Sequence, residues 1–391
     1  MTTRQPVDRR SILALNAVST LSQVGQYGIG FVVLPLWFAQ QGLGPSRLGL
    51  ITALPWVGML AGLAVGPRWI ARSSPRRVVA LGLACTLIAF VVIPRSAGAA
   101  WLIASALAGL GIGLRWIALE PWLYGLVPAQ ARGRVVGLHE TLIGLAPIIA
   151  PSLVGWFGTG PSAVFTIGLA FTALAALPLA LARRPQARQQ PQAAPGTSLR
   201  PAARAAPKPS VLLALGLAIA MAGGLVEGAF AGLFPLFGTA RGLGAAQIAW
   251  LLSIFGAGGL LFQYPLGWLA DHRGLRLTAM LCTVGTALAL AVLALPAAVG
   301  PLAVALFVLG GFLTAFLTLA MIAATDTGHD NPAATFSRIT MTYTASSALG
   351  PLVGGAVMQT LGGSGFVAQM ELALVALAAY IVWGRRKRQP D

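Results

Sequence analysis

The chain is a succession of apolar stretches, each roughly 20 residues long, the length an α-helix needs to cross the ~30 Å hydrocarbon core of a bilayer. In that solvent every backbone polar group must be satisfied within its own segment, so such stretches are expected to be helices. Breaks at charge clusters and at Gly/Pro interruptions give twelve of them, near 12–38, 47–70, 76–94, 99–124, 135–158, 162–182, 211–238, 246–270, 274–295, 300–324, 336–360 and 364–384. Only 9% of the 391 residues are charged while 57% are hydrophobic, too little polar side chain to cover a soluble surface. The expected fold is an all-α integral membrane protein with twelve transmembrane helices. The first stretch follows Arg9 and Arg10 as a signal peptide's apolar region would, but it is too long and has no convincing small-residue cleavage site. It reads as an uncleaved first helix.

The charge is lopsided, 26 basic residues against nine acidic for a net +17, which in a soluble chain would suggest a nucleic-acid partner. Placement decides otherwise. Along the twelve-helix path, 22 of the 26 basic residues fall on one side, and the opposite side holds only Arg47, Arg95 and Arg241, with Arg115 left inside a helix. By the positive-inside rule this puts both termini in the cytoplasm. The stretch 183–210 has six basic residues, no acid and abundant Pro, Ala and Gln, a composition that builds no core. It reads as a solvated linker beside anionic lipid headgroups, not as a nucleic-acid arm. The chain then divides into a first half, 1–182, the cytoplasmic linker, 183–210, and a second half, 211–391.

Internal repetition follows the same division. Gly42-Leu43-Gly44 recurs as Gly242-Leu243-Gly244, Pro35 as Pro235, Trp69-Ile70-Ala71 as Trp268-Leu269-Ala270, and Cys85-Thr86 as Cys282-Thr283. The matches keep one order at nearly constant offset, which indicates two homologous six-helix bundles of the kind that form a cavity between them near the midplane.

The stretch Gly267-Trp268-Leu269-Ala270-Asp271-His272-Arg273-Gly274-Leu275-Arg276 resembles the signature loop of the major facilitator superfamily, with His272 inserted between the acid and the arginine. The run 127–134, ending in Arg132-Gly133-Arg134, resembles the family's loop before helix five. Gly350-Pro351-Leu352-Val353-Gly354-Gly355 resembles its helix-eleven element. The resemblance covers nearly the whole chain and points to the twelve-helix bacterial type and its proton-antiporter-like branch. It implies alternating access in a bacterial inner (cytoplasmic) membrane, with a monomer sufficient. Departures bear on the branch: Ala71 stands where the first half would carry the loop's aspartate, and Leu107 where antiporters carry an arginine before the Gly109-x-Gly111-x-Gly113 run.

A charge in hydrocarbon persists when it faces a wet cavity or a partner, so intramembrane charges form the short list of functional residues. They are Arg115, Glu120, Glu140, Glu227 and Glu371. Glu227 is the leading proton-coupling candidate: it lies deep in helix seven among Gly223, Gly224, Gly228 and Gly232, and desolvation of a carboxylate favours its neutral, protonated form. Glu120 and Glu140 are further coupling candidates, or else helix-end partners of Arg132 or Arg134. Glu371 reads as structural. Arg115 is a candidate substrate ligand, with Gln26, Tyr27, Gln263, Tyr264 and Tyr343 as polar lining; Gln23 belongs to the same set. The resemblance assigns Asp271, Arg273 and Arg276 to a gate that locks the halves when the cavity faces outward; Arg134 is the candidate partner of the acid, because Arg134 and Arg338 begin corresponding helices of the two halves. Asp326 or Asp330 is a candidate contact for Arg338.

The function expected is proton-coupled secondary transport of a small organic solute, in the direction of export. Two alternatives stand: uptake of an organic anion, which Arg115 would suit, and a non-transport sensor or scaffold on the same fold. An enzyme is not expected, since the sequence has no Walker-type phosphate loop and no nucleophile–base pair. Cys85 and Cys282 lie in apolar runs and the three histidines are scattered, so neither a metal cluster nor a cofactor is expected.

Overall fold

The computed structural model describes residues 8–128, 131–182, 211–296, 298–325 and 332–386, and every regular element among them is helical. The linker, Asp326 and Asp330 lie outside the described residues. Ten helices each match one expected span: α1 Arg9–Ala39, α2 Pro45–Arg72, α3 Pro75–Arg95, α4 Ala99–Gly125, α5 Gly133–Phe157, α6 Pro161–Leu181, α7 Leu212–Ala240, α8 Ala245–Arg273, α9 Leu275–Ala294 and α10 Val299–Ala324. The last helical run, Ala334–Trp383, holds two spans. It is broken at Gly362, whose φ of 64° and ψ of −152° suit a residue without Cβ. Its parts are α11, residues 334–361, and α12, residues 363–383.

Lipid tails are as apolar as leucine, so helices here gain little by hiding apolar side chains and associate instead through close packing of small residues. The two bundles do this in the same way. In the first, a Cβ on Gly58 of α2 would strike the Ala106 carbonyl of α4, and one on Gly109 would strike the Pro55 carbonyl. In the second, Gly258 of α8 meets the Phe307 carbonyl of α10 and Gly310 meets that of Phe255. Equivalent backbones therefore touch at equivalent positions, the structural form of the repeat read from Gly42/Gly242 and Pro35/Pro235. Large apolar side chains such as Ile103 (72% exposed) and Val304 (65%) point outward, where acyl chains would solvate them.

The seam between the bundles repeats the symmetry too. Helix α2 packs on α11, with Gly49 against the Pro351 carbonyl and Gly355 against that of Pro45, while Ser46 Oγ donates to the Gly355 carbonyl at 3.3 Å. Helix α5 packs on α8, with Gly256 against Pro147, Ser152 Oγ donating to Ser253 Oγ at 2.9 Å, and Trp156 edge-on to Trp250. Pro45 and Ala245 begin α2 and α8, and Phe157 ends α5, so these contacts lie at the membrane end opposite the loops rich in arginine. The bundles are closed at that end, and a cavity occupies the seam toward the basic one.

Candidate functional site

Helix α1 prepares the cavity wall. Residues Gln23–Val33 form a π-helical segment with i→i+5 bonding, and Gly25 and Gly28 let its widened turns lie against α6 and α5: a Cβ on Gly25 would strike Thr172, and one on Gly28 Ala150. Such widened turns alter which side chains share a face. Here Gln23 and Tyr27 reach the cavity while Gln26 turns into the first bundle.

The cavity has a volume of about 200 Å³ and is open to one side. Its walls come from both bundles: Gln23 and Tyr27 of α1, Trp56 and Met59 of α2, Trp116 of α4 and Glu140 of α5 face Glu227 of α7, Gln263 of α8, Thr314 of α10 and Tyr343 of α11. Above it Phe31 stacks on Tyr27 at 5.4 Å and meets the Trp56 ring edge-on at 4.6 Å, an aromatic roof on the closed side.

Glu227 sits at the point where the bundles meet. Tyr27, from the first bundle, donates its hydroxyl to one carboxylate oxygen at 3.0 Å, and Tyr343, from the second, donates to the other. Tyr27 and Glu227 are 200 residues apart, the spacing of Pro35 and Pro235, so the bond joins equivalent positions of the two halves. The glycines around Glu227 serve this seat: Gly224 packs against the Tyr343 carbonyl and Gly228 against that of Ser347, drawing α7 onto α11. Glu140 also lines the cavity, and Tyr124 of α4 donates to it at 3.1 Å.

Arg115 lies elsewhere. It is 2% exposed and does not line the cavity. Its Nε donates to Gln26 Oε1 at 2.8 Å, Nη2 donates to Gln23 Oε1, and Nη1 makes a long 3.5 Å contact to Ser19. Gln26, fully buried, passes its own amide protons to Thr86 Oγ1 at 2.7 Å and to the Gly82 carbonyl at 3.2 Å. Arg115 and Gln26 are thus corrected from cavity lining to an internal clamp of α1, α3 and α4, because the π segment turns Gln26 away from the cavity. Tyr264 is a second correction. It is 81% exposed on the outer surface, since adjacent helical residues point about 100° apart and Gln263 takes the inward face.

Glu120 is partly buried on α4 and does not line the cavity. Pairing of Glu140 with Arg134 is not found: Arg134 is exposed and Glu140 takes the Tyr124 hydroxyl instead. Asp271, Arg273 and Arg338 are exposed at the basic end, and Arg276 is partly buried there. Among the described residues no ion pair joins Asp271 to Arg134. The gate was expected to close when the cavity faces the other way, and the cavity here opens toward these residues. Sequence reasoning passed over His139. It is fully buried beside Glu140, its Nδ1 lies 3.0 Å from Asn16 Oδ1, its ring stands edge-on to Tyr124, and its Nε2 has no hydrogen-bond partner among the described residues. Adjacency to an intramembrane carboxylate was the available signal.

Two helical bundles closed on each other at one end, with a polar cavity opening at the other, are an architecture that membrane transporters use. The sequence profile of the Major Facilitator Superfamily matches residues 16–246 and 217–391, and the chain belongs to that superfamily. It is 25% identical over 339 residues, 84% of each chain, to the uncharacterized MFS-type transporter YcaD of Escherichia coli O17:K52:H18, and equally to that of Shigella flexneri. Solved structures of similar fold are a D-xylose-proton symporter (TM-score 0.74, 13% identity, 96% of this chain and 98% of that one) and the nucleoside transporter NupG (0.72, 16%, 97% and 99%). An inward-facing, unoccupied bacterial homologue of the human lysosomal transporter Spinster is similar too (0.72, 13%, 98% and 96%). The protein is a multi-pass membrane transporter of small molecules and not an enzyme.

Proposed function

We propose that the protein is a proton-coupled secondary transporter that exports a small organic solute, and that Glu227 is the group that takes up and releases the proton. The observation that carries this reading is the seat of Glu227: a carboxylate in the cavity, held by one tyrosine from each bundle. Ionised, it accepts both hydroxyls and ties α1 to α7 across the seam. Protonated, it carries a donor on one oxygen, so the tyrosine on that oxygen must either turn its hydroxyl to accept or give up the contact. Charge on one side chain then biases how the bundles meet, and a solute or a proton arriving there changes the preference between the two arrangements.

Glu140 is a second proton acceptor on the same wall, and Glu120 supports it from α4. Asp271 and Arg134 form the closing gate at the basic end, with Arg273, Arg276 and Arg338 around it. That end faces the cytoplasm of a bacterial inner membrane, as the arginine-rich loops suggest, with residues 1–182 and 211–391 moving as the two bundles about the 183–210 linker. The anion-uptake alternative loses its support, because Arg115 is committed to Gln23 and Gln26. The test uses proteoliposomes loaded with a pH-sensitive dye and offered a panel of organic cations, anions and neutral solutes under an imposed pH gradient. A solute from the panel is expected to trigger proton movement in the parent, and Glu227→Gln is expected to lose it. Undiminished flux in the variant would sink the assignment.

A further inference from the structure

The geometry points to an organic cation as the substrate of this cavity. The inference rests on the reading of Glu227 as the exchange site and adds the chemical class of what is exchanged.

The cavity is acidic and aromatic at once. Glu140 and Glu227 line it from opposite bundles, Trp56, Trp116, Tyr27 and Tyr343 supply ring faces and edges, and no basic side chain is among its described lining residues. The membrane-embedded base that would recognise an anion, Arg115, is sealed in the first bundle with its donors directed at Gln26 and Gln23. An anion entering this space would meet two carboxylates and no compensating charge, and burial of an uncompensated charge is strongly disfavoured. The exposed arginines at the mouth do not alter this, because charges in water are screened over about a Debye length.

A cation finds the opposite. Each carboxylate retains acceptor capacity after its tyrosine bonds, since two oxygens offer about four lone-pair positions and the tyrosines occupy one on Glu140 and two on Glu227. The ring quadrupoles of Trp and Tyr attract positive charge at their faces. Because one carboxylate cannot hold a proton and pair with a cation together, binding of either displaces the other. Exchange of a cation for a proton at one site is antiport, and an inward proton gradient then drives the cation outward.

The full chain, purified in detergent, would be titrated calorimetrically with three probes of similar size: the benzylammonium cation, neutral benzyl alcohol and the phenylacetate anion. The expected result is saturable binding of the cation alone, weakening as pH is lowered. Glu227→Gln and Glu140→Gln, prepared separately so that one misfolded variant does not decide the matter, should each weaken it about tenfold, the scale of one lost charge-assisted contact. Trp116→Leu should weaken it less. Preference for phenylacetate or benzyl alcohol, absence of saturable cation binding, or cation binding indifferent to both glutamate variants would each overturn the proposal. Its failure is distinguishable from that of proton coupling: proton-linked transport of an anion or neutral solute removes the cation assignment alone, whereas carboxylate-dependent cation binding without proton movement removes the coupling alone.

Discussion

Two buried polar clusters lie in adjacent parts of this protein and differ in one respect, the number of bundles that contribute to them. Glu227 draws one hydroxyl from each bundle and faces the cavity. Arg115 draws its partners Gln26 and Gln23 from α1, and through Gln26 reaches Thr86 of α3, all within the first bundle. A charge whose partners move with it is held the same way in every conformation. A charge whose partners belong to two moving bodies changes its surroundings whenever they separate. Depth in the membrane selects both as special; only the second placement can couple a proton to movement.

Glu227→Gln should abolish proton-linked flux in proteoliposomes while leaving the unfolding midpoint near that of the parent, because an amide still accepts from a tyrosine on its oxygen. Arg115→Met should do the reverse. It strands the buried Gln26 oxygen, a cost of about 1–3 kcal/mol for an acceptor left bare, so the first bundle unfolds at lower denaturant while any protein that remains folded still moves protons. Loss of coupling without loss of stability in Arg115→Met would erase the distinction between the clusters.

The two tyrosines sharpen the same point at smaller scale. Each loses one hydrogen bond on conversion to phenylalanine, a net change of about 0.5–1.5 kcal/mol or more to a charged acceptor. Tyr343→Phe removes a contact inside the second bundle, so it should lower stability slightly and leave the balance of open and closed forms alone. Tyr27→Phe removes the contact that crosses the seam. It should shift that balance by up to about tenfold, read as the rate at which a cysteine placed at Met59 in the cavity wall reacts with a membrane-impermeant thiol reagent. Equal shifts in the two variants would mean that Tyr27 is not a strut between bundles.

How far the sequence carries this picture varies with the physical signal involved. The spans were legible because a helix in lipid must be long and apolar, and Arg9–Ala39 through Val299–Ala324 reproduce the expected stretches to within a few residues. Glu227 was legible because a carboxylate in hydrocarbon is costly, and the glycines around it fit the close approach of α7 to α11. Orientation about each helix axis was not legible. These helices are apolar on all sides, so no stripe shows which face is inward, and the π segment Gln23–Val33 shifts the faces of α1 in a way no period of 3.6 foretells. Gln26 and Tyr27, grouped as cavity lining, consequently part company. His139 escaped for another reason: an imidazole hydrogen-bonded to Asn16 leaves no mark in an inventory of carboxylates and arginines.

The smallest predicted effect tests that orientation directly. Gln263 and Tyr264 are neighbours on α8, and from sequence both were placed in the cavity; in the fold Gln263 lines it and Tyr264 is 81% exposed on the outer wall. Tyr264→Leu should leave transport and solute binding unchanged, and exchanging one lipid-facing apolar side chain for another should move stability by no more than about 0.5 kcal/mol, as for surface sites generally. Gln263→Leu should weaken solute binding by a fewfold, through loss of one neutral hydrogen bond of about 0.5–1.5 kcal/mol. A larger effect from Tyr264→Leu than from Gln263→Leu would mean that α8 is rotated by about one residue, roughly 100°. Such a rotation would also lift Gly258 off the Phe307 carbonyl and put a side chain between two backbones that now touch. The outcome at these two positions therefore also tests the packing that makes the second bundle a copy of the first.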